Sequence, residues 1–128
     1  MVGRARRRGF RDGGLSRVLD LLGADELEEG EMRMVWVDQS DPVLVVHVNG
    51  EFHALQGTCS HEYFELDRGF LTAGTLTCAL HLSRFDLTDG EPLDPPAELP
   101  LAVYPVEVRD GRVTIEVDDG PLEINEEA

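Results

Sequence analysis

The chain has 128 residues, 41% of them apolar, which suffices for one small folded domain, and its longest apolar run, residues 43–46, is too short to span a membrane. The net charge of −15 is divided unevenly, because the first 17 residues hold six of the 11 arginines and one acid, whereas the rest carries −20. A folded part with this strong negative charge repels nucleic acid and anionic membranes, so we expect a soluble protein that binds neither.

The N-terminal segment is basic and without a clear pattern. Residues 1–14 are rich in arginine and glycine and have no periodicity, which predicts disorder. In residues 15–22, leucines and a valine recur at helical spacing, and Gly23 is suited to end a helix, so a short helix is predicted there. We therefore predict that residues 1–30 are a tail that precedes the folded domain.

Strand patterns dominate the next part of the chain. Residues 32–37 and 43–48 are candidate strands, and the second ends at Asn49-Gly50, the commonest two-residue hairpin turn. Residues 51–55 continue as a third strand. Later, residues 101–108 and 113–117 alternate around another turn and predict a further hairpin. We predict an all-β domain at 31–118, followed by a loose acidic tail at 119–128.

The stretch between these two blocks of strands has a different character. Residues 56–100 hold most of the turn residues, both cysteines and two of the four histidines. A segment of this kind between antiparallel strands is typical of a functional insert held by a β scaffold. We therefore place the functional site within about residues 56–88.

Two short motifs in this insert carry metal-binding residue types. The first is Cys59-Ser60-His61, and the second, after sixteen intervening residues, is Cys78-Ala79-Leu80-His81. Together they use every cysteine of the chain. The other histidines, His47 and His53, fall in predicted strands, where we expect ordinary strand side chains.

Three explanations compete for these four residues. A mononuclear zinc site can use two Cys and two His, but structural zinc sites usually pair Cys with Cys and His with His at short spacing. A catalytic Cys–His pair would leave the duplicated motif unexplained. A binuclear iron–sulfur cluster fits best, because each loop can give its Cys to one iron and its His to the other, as in Rieske ligation.

The two motifs and their flanks resemble the Rieske family over residues 32–117. The Asn49-Gly50 hairpin before the first loop and the stretch FDLTDG after the second belong to this likeness. The resemblance implies an antiparallel β-sandwich of two small sheets with an inserted cluster-binding subdomain. It also implies one [2Fe-2S] cluster per chain, with Cys59, His61, Cys78 and His81 as its ligands.

Within that family, the chain is most similar to the stand-alone ferredoxins of multicomponent bacterial dioxygenases. The likeness implies a one-electron carrier without catalysis of its own, which receives electrons from a flavoprotein reductase and delivers them to a terminal oxygenase in transient complexes. We expect a cytoplasmic monomer with reduced cysteines. Two alternatives remain, a small subunit of a nitrite reductase or similar reductase complex, and a non-redox interaction domain that has kept its ligands.

Residues that other Rieske proteins have and this sequence lacks narrow the type of Rieske protein further. No histidine follows His81, so the mononuclear iron site of an oxygenase large subunit has no histidine ligands there. Respiratory members of the family have two further cysteines, at the positions of Phe64 and Leu80. No disulfide can therefore tie the loops together, and the resemblance implies packing by apolar residues such as Phe64, Leu80 and Leu82.

The resemblance also bears on the reduction potential. High-potential relatives place a serine and a tyrosine hydroxyl near the second loop, where this chain has Ser83 and Phe85. Because hydrogen bonds to cluster sulfurs favour the reduced state, one donor instead of two predicts a low-to-intermediate potential that Ser83 raises slightly. Acidic residues of the first loop, Glu62, Glu65 and Asp67, are candidates for choosing a basic docking partner.

Overall fold

Apart from two single 3₁₀ turns, the regular elements of the described residues are antiparallel strands, which confirms the predicted all-β class. A computed structural model describes residues 4–6, 16–37, 41–118 and 121–127. The strands are β1 (Arg4–Arg6), β2 (Ser16–Gly23), β3 (Met32–Trp36), β4 (Pro42–Val48), β5 (Glu51–Gln56), β6 (Phe70–Thr72), β7 (Thr75–Thr77), β8 (Arg84–Asp86), β9 (Val103–Tyr104), β10 (Val106–Arg109), β11 (Arg112–Asp118) and β12 (Ile124–Glu126). Single 3₁₀ turns lie at Ala24–Glu26 and Leu66–Arg68.

The central sheet has the order β3-β4-β5-β9, and β4 is buried on both of its faces. Successive side chains of a strand point to opposite faces. Val43 and Val45 enter one hydrophobic core, while Leu44 and Val46 enter the other, and all four are fully buried. This explains why the run from 43 to 46 is apolar without interruption.

Both predicted hairpins form around turns in which two successive residues have positive φ. At the first, Asn49 and Gly50 have φ values of 55° and 74° and join β4 to β5. At the second, Asp110 and Gly111 have φ values of 52° and 77° and join β10 to β11. Asn, Asp and Gly tolerate this conformation better than other residues, which is why the turns were visible in the sequence.

The helix predicted before residue 23 is wrong, because Ser16–Gly23 is strand β2. It pairs antiparallel with β11 in a second sheet of order β10-β11-β2. Its side chains alternate over residues 16–20, with Val18 60% exposed and Leu19 packed against the core. A short apolar run is compatible with either a helix or a strand. Here residues 16–23 form a strand because they pair with the edge of β11.

A third sheet, β6-β7-β8, belongs to the insert that carries the two metal-ligand motifs. Between this insert and β4 and β5 lies the second hydrophobic core. Its buried members are Leu44, Val46, Leu55, Cys59, Leu66, Leu76, Cys78, Phe85, Leu87, Ala97 and Leu101. Both motif cysteines are thus part of the packing that holds the insert on the scaffold.

The chain ends are more ordered than the sequence predicts. Ile124–Glu126 forms β12, so the acidic tail is not loose over these residues, and Leu122 and Ile124 are buried. Arg4–Arg6 forms β1 and pairs with β12. The rest of the tail predicted to be disordered, residues 1–3 and 7–14, lies outside the described residues.

Gln56 anchors the C-terminal strand to the start of the insert. Its side chain is 1% exposed. The amide nitrogen donates to the carbonyl oxygens of Thr58 and Asn125, both at 2.8 Å. The amide oxygen accepts from the backbone N–H of Ala102 at 2.8 Å and of Asn125 at 2.9 Å. A buried amide with all of these bonds made is a rigid link between the three segments.

Among the described residues, none of the helical segments has the length and apolar character that a membrane crossing would need.

Candidate metal centre

Two loops present the motif cysteines and histidines, and each is closed by backbone hydrogen bonds around its cysteine. In the first loop, the Cys59 N–H donates to the carbonyl of Phe64 at 3.0 Å. In the second, the Cys78 N–H donates to the carbonyl of Ser83 at 2.9 Å, and the Leu82 N–H donates back to the carbonyl of Cys78 at 2.8 Å. The loops therefore repeat one design, as the duplicated motif suggested.

The Cys59 thiol lies in the interior and faces Cys78. The Cys59 residue is 5% exposed. Its hydrogen bond with Cys78 and its burial raise the pKa of the Cys59 thiol, and the backbone N–H groups of His61 and Glu62, which point at its sulfur, oppose this. The sulfur thus sits in a nest of N–H donors, which favour a thiolate or a metal-bound sulfur.

Cys78 has the matching arrangement. It is 1% exposed, and the hydrogen bond from Cys59 lowers its pKa to about 6, against the opposing effect of burial. The N–H groups of Leu80 and His81 also point at the sulfur and, together with the bond from Cys59, account for this lowered pKa. Both sulfurs therefore have two backbone donors from the residues that follow them.

The two motif histidines lie beside each other at the surface. The ring centroids of His61 and His81 are 5.3 Å apart, with an angle of 66° between the ring planes. Their side chains are 27% and 44% exposed. The site is consequently polarised, with the two thiols inside and the two imidazoles at the surface.

This arrangement does not suit a single tetrahedral ion. Zn–S bonds of about 2.3 Å and Zn–N bonds of about 2.0 Å bring the donors of such a site within about 4 Å of one another. In the described part of the chain, the one group of three donor atoms within 4.8 Å is His61, Glu62 and His81, without either cysteine. A sulfur end separated from a nitrogen end fits a binuclear [2Fe-2S] cluster, with one iron at each end.

Two serine hydroxyls attach the loops to the segment at residues 97–99. Ser60, fully buried, donates to the carbonyl of Leu99 at 2.6 Å. Ser83, 1% exposed, accepts a hydrogen bond from the N–H of Ala97 at 3.3 Å. One segment thus fixes both loops. Sequence reasoning missed Ser60, although a serine between two ligands was the available signal.

The predicted loop-packing residues divide into two groups. Phe85 is fully buried and Phe64 packs against the same core. Leu80 and Leu82 are 37% and 61% exposed, so the prediction that they pack the loops together is wrong. Hydrogen bonds through residues 97–99 supply the connection instead, because the Leu80 and Leu82 side chains lie on the solvent side of the second loop.

Glu127 is a further residue at the site that sequence reasoning missed. Its Oε1 lies 3.0 Å from Nδ1 of His61, and its Oε2 accepts from the Glu98 N–H at 2.8 Å. Partial burial opposes ionisation, but these hydrogen bonds outweigh it and hold the pKa of the Glu127 carboxyl below its ordinary value. The contact joins residues 66 positions apart, and no local pattern indicates it.

The two remaining histidines lie in strands outside the site, as expected. His47 stacks on Phe52 with ring centroids 4.1 Å apart, and its Nδ1 is 2.8 Å from the carbonyl oxygen of Leu27. His53 is half-buried on β5 beside Glu51. Neither is grouped with the motif residues.

Residues 18–105 match the family model described as the Rieske [2Fe-2S] domain. The ferredoxin component of the p-cumate 2,3-dioxygenase system of Pseudomonas putida is 32% identical over 109 residues, which are 84% of this chain and 92% of that relative. The ferredoxin component of the alkene monooxygenase system of Xanthobacter autotrophicus is 36% identical over 106 residues, 82% of this chain and 85% of that relative.

Solved structures show the same likeness. A ferredoxin of Sphingomonas yanoikuyae has a TM-score of 0.74 at 28% identity and covers 82% of this chain and 100% of its own. A chain from a complex of oxygenase and ferredoxin in carbazole 1,9a-dioxygenase has a TM-score of 0.73 at 28% identity, covering 87% of this chain and 95% of its own. A nitrite reductase small subunit from Mycobacterium tuberculosis reaches 0.69 at 22% identity, covering 80% and 96%, and shares the fold.

Proposed function

Because the chain belongs to the Rieske [2Fe-2S] family, we propose that it is a ferredoxin component that carries electrons, one at a time, to a terminal oxygenase. The curated relatives that match it over most of their length are ferredoxin components of oxygenase systems, which are electron carriers and not the catalytic components. The polarised site, with buried thiols and surface imidazoles, is the observation of this structure that carries the proposal.

We propose that Cys59 and Cys78 bind one iron of the cluster and that His61 and His81 bind the other. When bound, a [2Fe-2S] cluster supplies a one-electron redox couple. The chain's part is to keep water from the sulfur end, to donate backbone N–H groups to the sulfurs, and to leave the imidazole edges accessible. A partner that approaches the imidazole edges has the shortest path for the electron.

The partners follow from the same proposal. Related ferredoxins have been captured in complex with the oxygenase of carbazole 1,9a-dioxygenase, which supports an oxygenase as the electron acceptor here. We propose a flavoprotein reductase as the donor, and a monomeric carrier that meets each partner transiently. A cytoplasmic location, where thiols stay reduced before the cluster binds, fits the two free cysteines.

The alternative function, a permanent small subunit of a nitrite reductase, has weaker support. Nitrite reductase small subunits share the fold at 22% and 19% identity, which is evidence for the fold alone. Copurification separates the two functions. A carrier is isolated as a free coloured monomer, whereas a subunit brings a stoichiometric partner with it.

The test of the ligand assignment is anaerobic purification followed by absorption and EPR spectroscopy. The expected protein is red-brown, contains two irons and two sulfides per chain, and after reduction gives an EPR signal with low average g. Cys59→Ala and His61→Ala should each abolish this signal, whereas His53→Ala, a half-buried strand histidine outside the site, should keep it. A colourless wild-type protein without iron would overturn the proposal.

A further inference from the structure

Leu82 has an unusual backbone conformation for its residue type. Four residues other than glycine have positive φ in the described part of the chain, and they are Asn49, Ala73, Leu82 and Asp110. Asn and Asp adopt this left-handed conformation at low cost, and Ala is small, but a leucine at φ 62° is strained. The conformation is imposed by the second loop, since the Leu82 N–H closes it on the Cys78 carbonyl at 2.8 Å.

Packing of the Leu82 side chain does not offset this backbone strain. It is 61% exposed and is absent from both hydrophobic cores. A glycine would fit the backbone without strain, and a polar residue would hydrate better. A strained residue that exposes an apolar side chain is therefore better explained by what it touches outside the chain than by the stability of the fold.

The position of Leu82 identifies the surface that it serves. It directly follows His81, whose ring is 5.3 Å from that of His61. Two other exposed apolar side chains, Leu80 at 37% and Tyr63 at 69%, lie in the same two loops. Exposed apolar side chains in the two loops that carry His61 and His81, in a chain with a net charge of −15, are typical of a protein interaction site.

The charge at this surface constrains the partner. The carboxylate of Glu62 is 60% exposed and lies 3.9 Å from Nε2 of His61 and 3.8 Å from Nδ1 of His81. A partner that approaches the rings must meet this carboxylate and the field of a chain with net charge −15. A complementary surface has basic side chains around an apolar recess.

We propose that Leu82 is an apolar anchor that inserts into a recess of the terminal oxygenase, with a basic oxygenase side chain facing Glu62. The inference rests on the proposed function and extends it from the cluster to the residue that selects the electron acceptor. We assign the oxygenase as the occupant because related ferredoxins have been captured in complex with an oxygenase. An oxygenase bound to Leu82 would lie against the neighbouring His81.

The test uses the holoprotein and two variants of Leu82. Leu82→Gly removes the side chain and relieves the positive φ, and Leu82→Asn keeps side-chain bulk but is polar and tolerates the same conformation. Ala73→Gly is the matched control, because it relieves a positive φ of 47° in an exposed turn of the insert that carries no ligand. All variants are first compared with wild type by absorption, EPR, reduction potential and melting temperature.

Electron transfer is then measured by stopped flow from the reduced protein to the terminal oxygenase of carbazole 1,9a-dioxygenase from Nocardioides aromaticivorans. The ferredoxin of the same carbazole dioxygenase serves as positive control. We expect both Leu82 variants to lower the second-order rate constant about tenfold or more, the loss expected when a buried leucine contact is removed. Transfer to ferricyanide, which needs no docking recess, should be unchanged, as should all rates of Ala73→Gly.

Glu62→Gln tests the basic partner side chain separately. This substitution should weaken the dependence of the oxygenase rate on ionic strength, a slope that a shift in reduction potential alone would not change.

Each other outcome contradicts a different claim. Unchanged oxygenase rates in the Leu82 variants would overturn the anchor. If the Leu82 variants slowed transfer to ferricyanide equally, the substitution would have changed the cluster itself, and the anchor role of Leu82 would be overturned as well. A wild-type protein that holds its cluster but passes no electron to the oxygenase would overturn the assigned occupant. A wild-type protein without the EPR signal would instead refute the proposed function itself.

Discussion

The hydroxyl of Ser60, between Cys59 and His61 in the first loop, donates a 2.6 Å hydrogen bond to the carbonyl oxygen of Leu99. Because Ser83 of the second loop accepts from Ala97, the segment at 97–99 connects the two loops. Respiratory relatives make that connection with a disulfide, for which this chain has no cysteines. Polar bonds to one shared segment take its place.

Ser60→Ala is expected to loosen the first loop. The substitution leaves the carbonyl of Leu99, which is in a part-buried contact, without its donor and costs about 1–3 kcal/mol of unfolding free energy. The melting temperature of the holoprotein should fall, and iron should be released faster to a chelator. Ser16→Ala is the control, since the Ser16 hydroxyl bonds Glu116 at an exposed position and its loss should change little. Equal iron release from wild type and Ser60→Ala would contradict this role.

Ser83→Ala is expected to lower the reduction potential. The Ser83 hydroxyl accepts from the Ala97 N–H, which leaves its own hydrogen available to donate to the sulfur end of the site. A lost donor disfavours the reduced state, and one hydrogen bond corresponds to a shift on the order of 50 mV for a one-electron couple. Redox titration measures this shift. A potential that is unchanged or higher would show that Ser83 serves only to hold residue 97.

Gln56→Leu is expected to destabilise the whole domain. The substitution leaves four backbone groups in buried or part-buried contacts, two carbonyls and two N–H groups, without the partner that Gln56 provides. Unfolding free energy should fall by about 2–4 kcal/mol. Denaturant unfolding of Gln56→Leu and Asn125→Ala compares the contribution of the Gln56 side chain to stability with that of the Asn125 side chain. Asn125→Ala should cost less, because it removes one side-chain bond to the Pro100 carbonyl.

The parts of the fold that were predicted correctly are those specified locally. Asn49-Gly50 fixes a hairpin by its own backbone preference, and the two Cys–His motifs are visible because their members lie within four residues of one another. Strand β2 was missed because its partner β11 lies about 90 residues later, and the alternation of residues 16–20 is too short to outweigh the helical spacing of its leucines.

For the candidate site too, the sequence predicted the local motifs but not the long-range contacts. The four residues proposed as ligands are visible as a pattern, but the contacts that support them are long-range, such as Ser60 with Leu99, 39 positions apart. The expectation that Leu80 and Leu82 pack the two loops together failed because apolar character alone does not distinguish a packed residue from an exposed one. Only the backbone path of the second loop makes that distinction.

Glu127→Gln is expected to raise the reduction potential. The Glu127 carboxylate is 3.0 Å from His61, is 12% exposed and is held ionised, so it places a negative charge beside a proposed iron ligand. A nearby negative charge disfavours the added electron, and its removal should raise the potential by roughly some tens of millivolts at this degree of burial. Gln can still accept from the Glu98 N–H, so the melting temperature should change little. Glu123→Gln, on the same terminal segment, is the control for charge alone. A potential that moves equally in both variants would show that Glu127 acts through net charge and not through its contact with His61.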